Sequence, residues 1–183
     1  MRFKDDKYTL LKLADVAYKF DYGLNSEAVK YDGKHKYIRI TDINEETNKY
    51  MSNNITTPSV YDNKYIVQKN DILLARTGAS TGKSYLYDCN DGTLYFAGFL
   101  IRINIDKNMN SKFIFYQFQT KRYKNWVKII SLRSGQPGIN AEEYKTYKVM
   151  YCLKSTQDKI ATFLTLIDKR IETQMKIIEE YQS

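Results

Sequence analysis

The sequence predicts a mixed α/β fold of the α+β kind. We expect one globular domain over residues 1–154, with a mixed β-sheet and flanking helices, and a long coiled-coil helix over residues 155–183. Three observations support this. Short segments alternate apolar and polar residues in the first two thirds of the chain, as half-buried strands do. An amphipathic helical pattern follows near residues 111–130, and a heptad pattern ends the chain.

The first segment, residues 8–20, is apolar but short, and it favours one or two helical turns near the surface. Residues 36–41 alternate polar and β-branched side chains, which predicts a strand. Residues 42–63 are rich in Asn, Thr and Glu and predict a long loop. Further strands are predicted at residues 65–67, 71–76, 83–88, 94–105 and 147–153. The run at 71–76 is continuously apolar, which indicates burial on both of its faces.

Two helical stretches are predicted after the strands. Ser111 is a suitable cap for a helix that reaches residue 120. Residues 121–130 continue it or form a second helix, with Trp126, Val127 and Ile130 facing inward. Residues 134–138 contain two glycines and a proline and end the helical pattern.

Apolar residues spaced alternately by four and three positions form a seam in residues 155–183. Ser155 or Thr156 is expected to cap this helix. A helix with an unpaired apolar stripe is unstable in water, so the seam predicts a homodimer. The alternative is a terminal helix that folds back on its own domain. The residues expected to dimerise are Ile160, Leu164, Ile167, Ile171 and Ile178, and Gln174 and Tyr181 continue the same spacing.

The basic charge of the chain is confined to the globular part. The net charge is +8, and residues 155–183 hold four of the 29 basic side chains and five of the 21 acidic ones. Basic residues therefore outnumber acidic ones by nine in residues 1–154. This distribution is typical of a protein that binds a polyanion such as nucleic acid. A basic surface that is only solvated is the alternative.

Composition also excludes several classes of protein. No run approaches the roughly 18 apolar residues that a membrane span requires, and the amino terminus lacks the apolar stretch of a signal peptide, so we expect a cytoplasmic location. Cys89 and Cys152 lie far apart, and their spacing suggests neither a disulfide framework nor a metal site.

A glycine-rich loop at residues 78–84 (GASTGKS) superficially resembles a nucleotide-binding loop. A phosphate loop needs four residues between its glycines and a helix after it. Only three residues separate Gly78 from Gly82, and the residues that follow alternate like a strand. ATP or GTP binding is therefore not expected. The loop suits DNA better, because small residues allow backbone amides to approach a phosphate and Arg76, Thr77 and Lys83 flank it with donors.

No pattern of catalytic residues emerges. Glu143 and Lys145 have the spacing of a nuclease pair, but no aspartate at a nearby strand end accompanies them, and a solvated helix start explains them better. The single histidine, His35, lies in a polar turn without a Cys or acid cluster around it. Pro58 and Pro137 are the only prolines, so the Asn/Asp-Pro-Pro-aromatic loop of an amino-methyltransferase is absent. We therefore expect no catalytic residues, no metal and no cofactor.

Four basic residues interleave with aromatic ones on the second predicted helix. Lys121, Arg122, Lys124 and Lys128 alternate with Tyr123 and Trp126. This arrangement fits a helix whose aromatic face packs inside while its basic face meets phosphates. A basic face that is merely solvated fits equally well.

Four blocks in order resemble the specificity subunit of type I restriction–modification enzymes. They are residues 37–43 (YIRITDI), 71–78 (DILLARTG) leading to Gly82 and Lys83, 134–140 (SGQPGIN) and 157–164 (QDKIATFL). The resemblance covers nearly the whole chain. It implies a DNA target-recognition domain over residues 1–154 and a spacer helix over 155–183. It also implies a non-catalytic subunit whose partners are double-stranded DNA, the methyltransferase subunits and, through them, the restriction subunit.

The chain departs from the family in having one recognition domain and one helix. Members of the family carry two such domains in tandem, each reading half of a split DNA site, and their two helices pair antiparallel. We therefore expect a half-subunit or truncated form in which two copies rebuild that arrangement. A protein-interaction module acting through its coiled coil, with incidental basic charge, is the alternative function.

Two glycine-bearing segments are expected to line one DNA-binding surface, since loops on a rigid sheet present polar side chains well. Gln136 is a candidate for contact with adenine, and Arg133 for contact with guanine or phosphate. The residues expected to contact DNA are Arg39, Thr41, Arg76, Thr77, Ser80, Lys83, Arg133, Ser134, Gln136 and Asn140.

Overall fold

The structure is a computed structural model that describes residues 8–132 and 137–182. In chain order the first elements are β1 (Thr9–Lys12), α1 (Leu13–Val16), β2 (Ala17–Tyr22), β3 (Ala28–Lys30), β4 (Lys36–Ile38), β5 (Thr56–Pro58), β6 (Asp71–Ala75) and β7 (Ser84–Leu86). They are followed by β8 (Leu94–Phe96), β9 (Leu100–Ile105), α2 (Ser111–Gln117), α3 (Lys121–Ser131), α4 (Ala141–Thr146), β10 (Lys148–Tyr151) and α5 (Lys154–Gln182). The predicted combination of a strand-rich domain, flanking helices and a long final helix is confirmed.

A four-stranded antiparallel sheet forms the centre, in the order β2-β9-β6-β7. Three two-stranded pairs surround it: β1 with β10, β3 with β5, and β4 with β8. The last of these is parallel, so the domain is mixed as predicted. The pairing of β1 with β10 joins the first strand of the chain to the last.

Strand β6 separates two apolar cores. Ile72 and Leu74 belong to the core beneath the helices, whereas Leu73 and Ala75 belong to the core on the opposite side of the sheet. Successive side chains of a strand point to opposite faces, so an apolar residue at every position fills both cores. All five residues of the strand are buried, which confirms the burial predicted from its continuous apolar run.

Several elements differ from the prediction. The first segment contains the expected helical turn, but it is flanked by β1 and β2, and its Leu13 and Val16 are buried rather than near the surface. The predicted loop of residues 42–63 contains β5, and the predicted strand at 65–67 is replaced by a 3₁₀ turn, Asn63–Tyr65. Strand β5 has three residues, too few for alternation to be visible in the sequence.

The helix caps also differ from the prediction. Asn110, rather than Ser111, caps α2 by accepting a hydrogen bond from the amide of Phe113 at 3.0 Å. Thr120 caps a separate helix, α3, so the second of the two predicted alternatives holds. Helix α5 begins at Lys154, which places Ser155 and Thr156 inside its first turn rather than at its cap.

The first half of α5 packs against the domain. Gln157 and Ala161 are buried, and Ile160 packs at the edge of the core beneath the helices. Farther along, the Asp168 carboxylate accepts a hydrogen bond from the Tyr116 hydroxyl at 2.6 Å, and Glu172 pairs with Lys49 at 2.5 Å. Within the described residues, none of the helices has the length and apolar character to cross a membrane.

Candidate nucleic-acid interface

The end of β6 brings together the two glycine-bearing segments singled out in the sequence. Thr77 and Gly138 form an antiparallel bridge. The amide of Ile139 donates to the Arg76 carbonyl at 2.8 Å, and the amide of Gly78 donates to the Pro137 carbonyl at 3.2 Å. The backbone on either side of Thr77 is therefore fixed to the second segment. Arg133, Ser134 and Gln136 lie outside the described residues.

The glycine-rich loop is held tightly against α3. Gly82 has a φ of +88°, and a Cβ atom at this position would lie 2.7 Å from a methyl carbon of Val127. Only glycine adopts this backbone conformation readily, and the contact leaves no room for a side chain. The Gly82 carbonyl also accepts a hydrogen bond from the buried hydroxyl of Tyr123 at 3.0 Å. The loop is thus part of the packed domain and continues into strand β7, not into a helix.

Lys83 makes contacts within the protein. Its Nζ donates to the Ile43 carbonyl at 3.0 Å and to the Ile40 carbonyl at 3.5 Å, and it lies 3.3 Å from the Glu45 carboxylate. Only 11% of this side chain is exposed. The ammonium group therefore joins the glycine-rich loop to the turn that follows β4, and a direct contact with a phosphate would have to replace these bonds.

Arg39 is fixed by a buried carboxylate. Its Nε and Nη2 atoms donate to the two oxygens of Asp42 at 2.8 and 2.7 Å. The side chain of Asp42 is 7% exposed, so it lies behind the guanidinium and not on the surface. Donation of these hydrogen bonds to Asp42 raises the pKa of Arg39 above its ordinary value. Two parallel hydrogen bonds thus set the position of the guanidinium, and the carboxylate balances its positive charge.

Arg39 and Arg76 line one open concavity of about 770 Å³. We call it the arginine cleft. The Arg76 guanidinium lies over the ring of Tyr22, 4.8 Å from its centroid. The phenyl group of Phe99 also lines the cleft and is 63% exposed. The described lining contains two arginines and no acidic residue, and is formed by Tyr22, Gly23, Leu24, Asn25, Ser26, Ala28, Tyr37, Arg39, Ile40, Thr41, Arg76, Ala97, Gly98 and Phe99.

The floor of the cleft requires close backbone contact. A Cβ atom on Gly23 would lie 2.1 Å from the Ala97 carbonyl oxygen, so only glycine fits there. The amide of Leu24 donates to the Phe96 carbonyl at 2.8 Å, and the amide of Gly98 donates to the Leu24 carbonyl at 2.8 Å. These bonds hold the segment after β2 against the turn between β8 and β9. The cleft is therefore a rigid feature of the domain.

A second concavity of about 1180 Å³ lies between the glycine-rich loop, α3 and the middle of α5. We call it the helix groove. Ser80 and Lys83 line it, together with Ile171 and Met175 of α5. Its described lining holds six lysines and six acidic residues. The charge is therefore balanced, unlike that of the arginine cleft.

The residues predicted to contact DNA are thus divided between two concavities. Arg39, Thr41 and Arg76 line the arginine cleft, whereas Ser80 and Lys83 line the helix groove. Thr77 lies on the segment that connects them. Asn140 is exposed, but its side-chain oxygen accepts a hydrogen bond from the amide of Glu143 at 2.9 Å and caps α4.

Sequence reasoning did not single out Tyr22, Asp42 or Phe99 for the cleft. Tyr22 is one of 17 tyrosines, and its contact with Arg76 joins residues that are far apart in the chain. Asp42 had a local signal, since it follows Arg39 by three residues at the end of an alternating segment. Phe99 lies within residues 94–105, which were predicted to be one strand. Nothing in the sequence indicated that it lies in a turn or that its side chain is exposed.

The basic helix has the orientation predicted for it. Tyr123 and Ile130 are buried, and Trp126 and Val127 pack against the same core. The basic side chains on the opposite side are exposed; they are Lys121, Arg122, Lys124 and Lys128. Arg122 donates to the Lys148 carbonyl at 2.7 Å, and Lys124 and Lys128 line the helix groove.

The predicted seam of α5 is divided between the domain and the solvent. Ile160 and Leu164 are half-buried, whereas Ile167, Ile171 and Ile178 are 40%, 52% and 53% exposed. The predicted alternative, in which the terminal helix folds back on its own domain, therefore applies to the first half of α5. The second half carries an exposed apolar stripe.

Comparison with known proteins matches almost the whole chain to the family that the four sequence blocks resemble. The model of the family described as "Type I restriction modification DNA specificity domain" matches residues 6–181. The type I restriction–modification S subunit from M. genitalium is 17% identical, with a TM-score of 0.68 over 98% of this chain. The HsdS subunit from Thermoanaerobacter tengcongensis is 10% identical, with a TM-score of 0.60 over 96%.

A third similar chain comes from a structure describing complex assembly and conformational transition of the type I R-M system. It is 11% identical, with a TM-score of 0.71 over 95% of this chain. The present chain spans 41%, 44% and 40% of the lengths of the complex-assembly chain, the M. genitalium subunit and the T. tengcongensis subunit. At these identities the likeness is one of fold.

Proposed function

Since this chain belongs to the family of type I restriction modification DNA specificity domains, we propose that it recognises double-stranded DNA within a restriction–modification assembly. In this proposal it directs methyltransferase subunits, and through them the restriction subunit, to a two-part site. The chain itself contributes binding and no catalytic group. The observation that carries the proposal is the arginine cleft, which holds two guanidinium groups and no acidic residue among its described lining residues.

The two concavities differ in the balance of basic and acidic side chains, and we therefore propose different roles for them. A duplex carries one negative charge per about 1.7 Å of its axis, so a surface with more basic than acidic side chains favours its binding. The arginine cleft meets this condition. The helix groove does not, because acidic and basic residues are equally numerous there. We therefore place the DNA against the arginine cleft.

The second half of α5 supports a homodimer. The exposed stripe of Ile167, Ile171 and Ile178 is the part of the seam that the domain leaves uncovered. The helix has 29 residues and a length of about 43 Å at 1.5 Å per residue. An antiparallel pair of such helices, as in the family, would place two recognition domains at opposite ends, which suits two half-sites on one duplex.

A second exposed row of α5 offers a surface for partner subunits. Phe163, Leu166 and Ile177 are 62%, 59% and 38% exposed. At 100° per residue these side chains lie on the helix face next to the seam, so a pair of helices would leave them uncovered. We assign this row to the methyltransferase subunits. The alternative function, a protein-interaction module, was based on the same helix, and this contact gives α5 that role within the assembly.

Duplex binding at several salt concentrations tests the proposal. Fluorescence anisotropy with a labelled random-sequence duplex should show an affinity that falls about tenfold or more between 50 and 200 mM salt, as expected for two or more phosphate contacts. Arg76→Ala should weaken binding, whereas Lys107→Ala, a change at an exposed lysine outside both concavities, should not. A chain that does not bind duplex DNA at low salt would contradict the proposal.

A further inference from the structure

Phe99 is an exposed aromatic side chain on a fixed backbone. The turn between β8 and β9 is closed by a hydrogen bond from the Leu100 amide to the Ala97 carbonyl at 2.9 Å. The Phe99 carbonyl accepts a hydrogen bond from the Arg76 amide at 3.0 Å. The phenyl group is 63% exposed although its backbone is held on both sides. An apolar group kept in solvent by an ordered turn suggests a partner that covers it.

The guanidinium of Arg76 belongs to a residue that lines the same cleft as Phe99. Its face lies on the Tyr22 ring, and the Tyr22 hydroxyl is itself held by the amide of Ala141 at 3.1 Å. Within residues 8–132 and 137–182, Arg76 forms no ion pair with a carboxylate. A guanidinium that stacks through its face keeps the N–H donors at its edge for a planar acceptor.

Arg39 differs from Arg76 in this respect. Two of its N–H groups are used by Asp42, and its position is set by that carboxylate. The charge of Arg39 is balanced by that carboxylate, although three of its five N–H donors are not used by Asp42. Arg76, which has no such carboxylate among the described residues, is therefore the better suited of the two arginines to the edge of a base.

We propose that Arg76 and Phe99 together read a guanine and a neighbouring thymine in the major groove. Arg76 donates to the O6 and N7 atoms of the guanine, the acceptor pair that a guanidinium matches best. Phe99 covers the C5 methyl group of the thymine, the one apolar group on a base edge. The inference rests on the proposed function, because it names the bases read by that same cleft.

Modified bases test each contact separately. A random duplex library is first selected with the wild-type chain, and the enriched motif is then synthesised with one base replaced at a time. Replacing thymine by deoxyuracil removes only the methyl group, and one position should lose about fourfold in affinity, the value of one buried methyl group. Replacing guanine by 7-deazaguanine removes the N7 acceptor, and one position should lose about tenfold.

The matching variants show which side chain senses each atom. Phe99→Ala should abolish the sensitivity to deoxyuracil while keeping that to 7-deazaguanine, and Arg76→Ala should do the reverse. Tyr18→Ala is the matched control, since this aromatic residue is 72% exposed on β2 and lies outside the cleft. It should keep both sensitivities. Thermal melting of each variant checks that the fold is intact.

The possible outcomes separate this inference from the proposed function. If Phe99→Ala still distinguishes thymine from deoxyuracil, or if the wild-type chain never does, the reading of thymine by Phe99 is overturned. If the chain binds duplex DNA with a steep salt dependence but enriches no motif, base reading in the cleft is wrong and DNA binding stands. If it binds no duplex, both proposals fail.

Discussion

Gln157 is the side chain through which the start of α5 is anchored in the domain. It is fully buried, and its Oε1 atom accepts a hydrogen bond from the amide of Asn110 at 2.9 Å. Its Nε2 atom donates to the Cys152 carbonyl at 2.8 Å. Because Asn110 also caps α2 and donates to Asp158 at 2.6 Å, the glutamine joins two helices at one point. The angle at which α5 leaves the domain depends on this junction.

Gln157→Met keeps the length of the side chain and removes its hydrogen bonds to Asn110, Cys152 and the Met109 sulfur. The Asn110 amide would then be buried without its partner, at a cost of about 1–3 kcal/mol, and the bond to the Cys152 carbonyl contributes about 1 kcal/mol. We expect the free energy of unfolding to fall by about 2–4 kcal/mol. Urea unfolding measured by circular dichroism checks this value, with an unchanged dependence on denaturant concentration.

Gln182→Met is the matched control, because the same substitution on the same helix falls at an exposed position outside the named seam. A change at such a position should stay within about 0.5 kcal/mol of the wild-type value. If Gln157→Met destabilises the protein no more than Gln182→Met does, the hydrogen bonds of Gln157 do not anchor the helix and the reasoning is refuted.

Three further predictions concern assembly, the glycine-rich loop and nucleotides. The wild-type chain should sediment as a dimer at micromolar concentration. The double substitution Ile167→Glu with Ile171→Glu should give a folded monomer with weaker DNA binding. A wild-type chain that is monomeric at high micromolar concentration would refute dimerisation through the seam. Lys83→Ala removes the bonds to the carbonyls of Ile40 and Ile43 and should lower the stability by about 1–3 kcal/mol and weaken duplex binding severalfold; wild-type stability would argue against this positioning role. Excess magnesium-ATP should leave the melting temperature unchanged, whereas a clear rise would show that a nucleotide binds the native state.

The elements that the sequence predicted well are those whose patterns are long or continuous. The apolar run of β6 and the heptad spacing of α5 each extend over several residues, so one irregular position does not hide the pattern. The spacing of the seam could not show that Ile160 is covered by its own domain, because a heptad pattern does not distinguish between partners. The same limit applies to the direction of helix pairing.

The arrangement of the cleft depends on contacts between distant parts of the chain. The bond between Ile139 and Arg76 and the stacking of Arg76 on Tyr22 join residues more than 50 positions apart. Strands β3, β4 and β5 have three residues each and carry too few positions for a period to appear. The two predicted segments could be identified as loops from their glycines, but their pairing through Thr77 and Gly138 required the structure.

Methylation of a random-sequence DNA library, with and without this chain, tests most directly whether the chain supplies sequence specificity to a methyltransferase. The library is incubated with a type I methyltransferase subunit from the same organism, and the methylated molecules are sequenced. Our account predicts that methylation requires the chain, that the methylated molecules share one two-part motif, and that Arg76→Ala relaxes the motif. Methylation with the same sequence preference in the absence of the chain would contradict it.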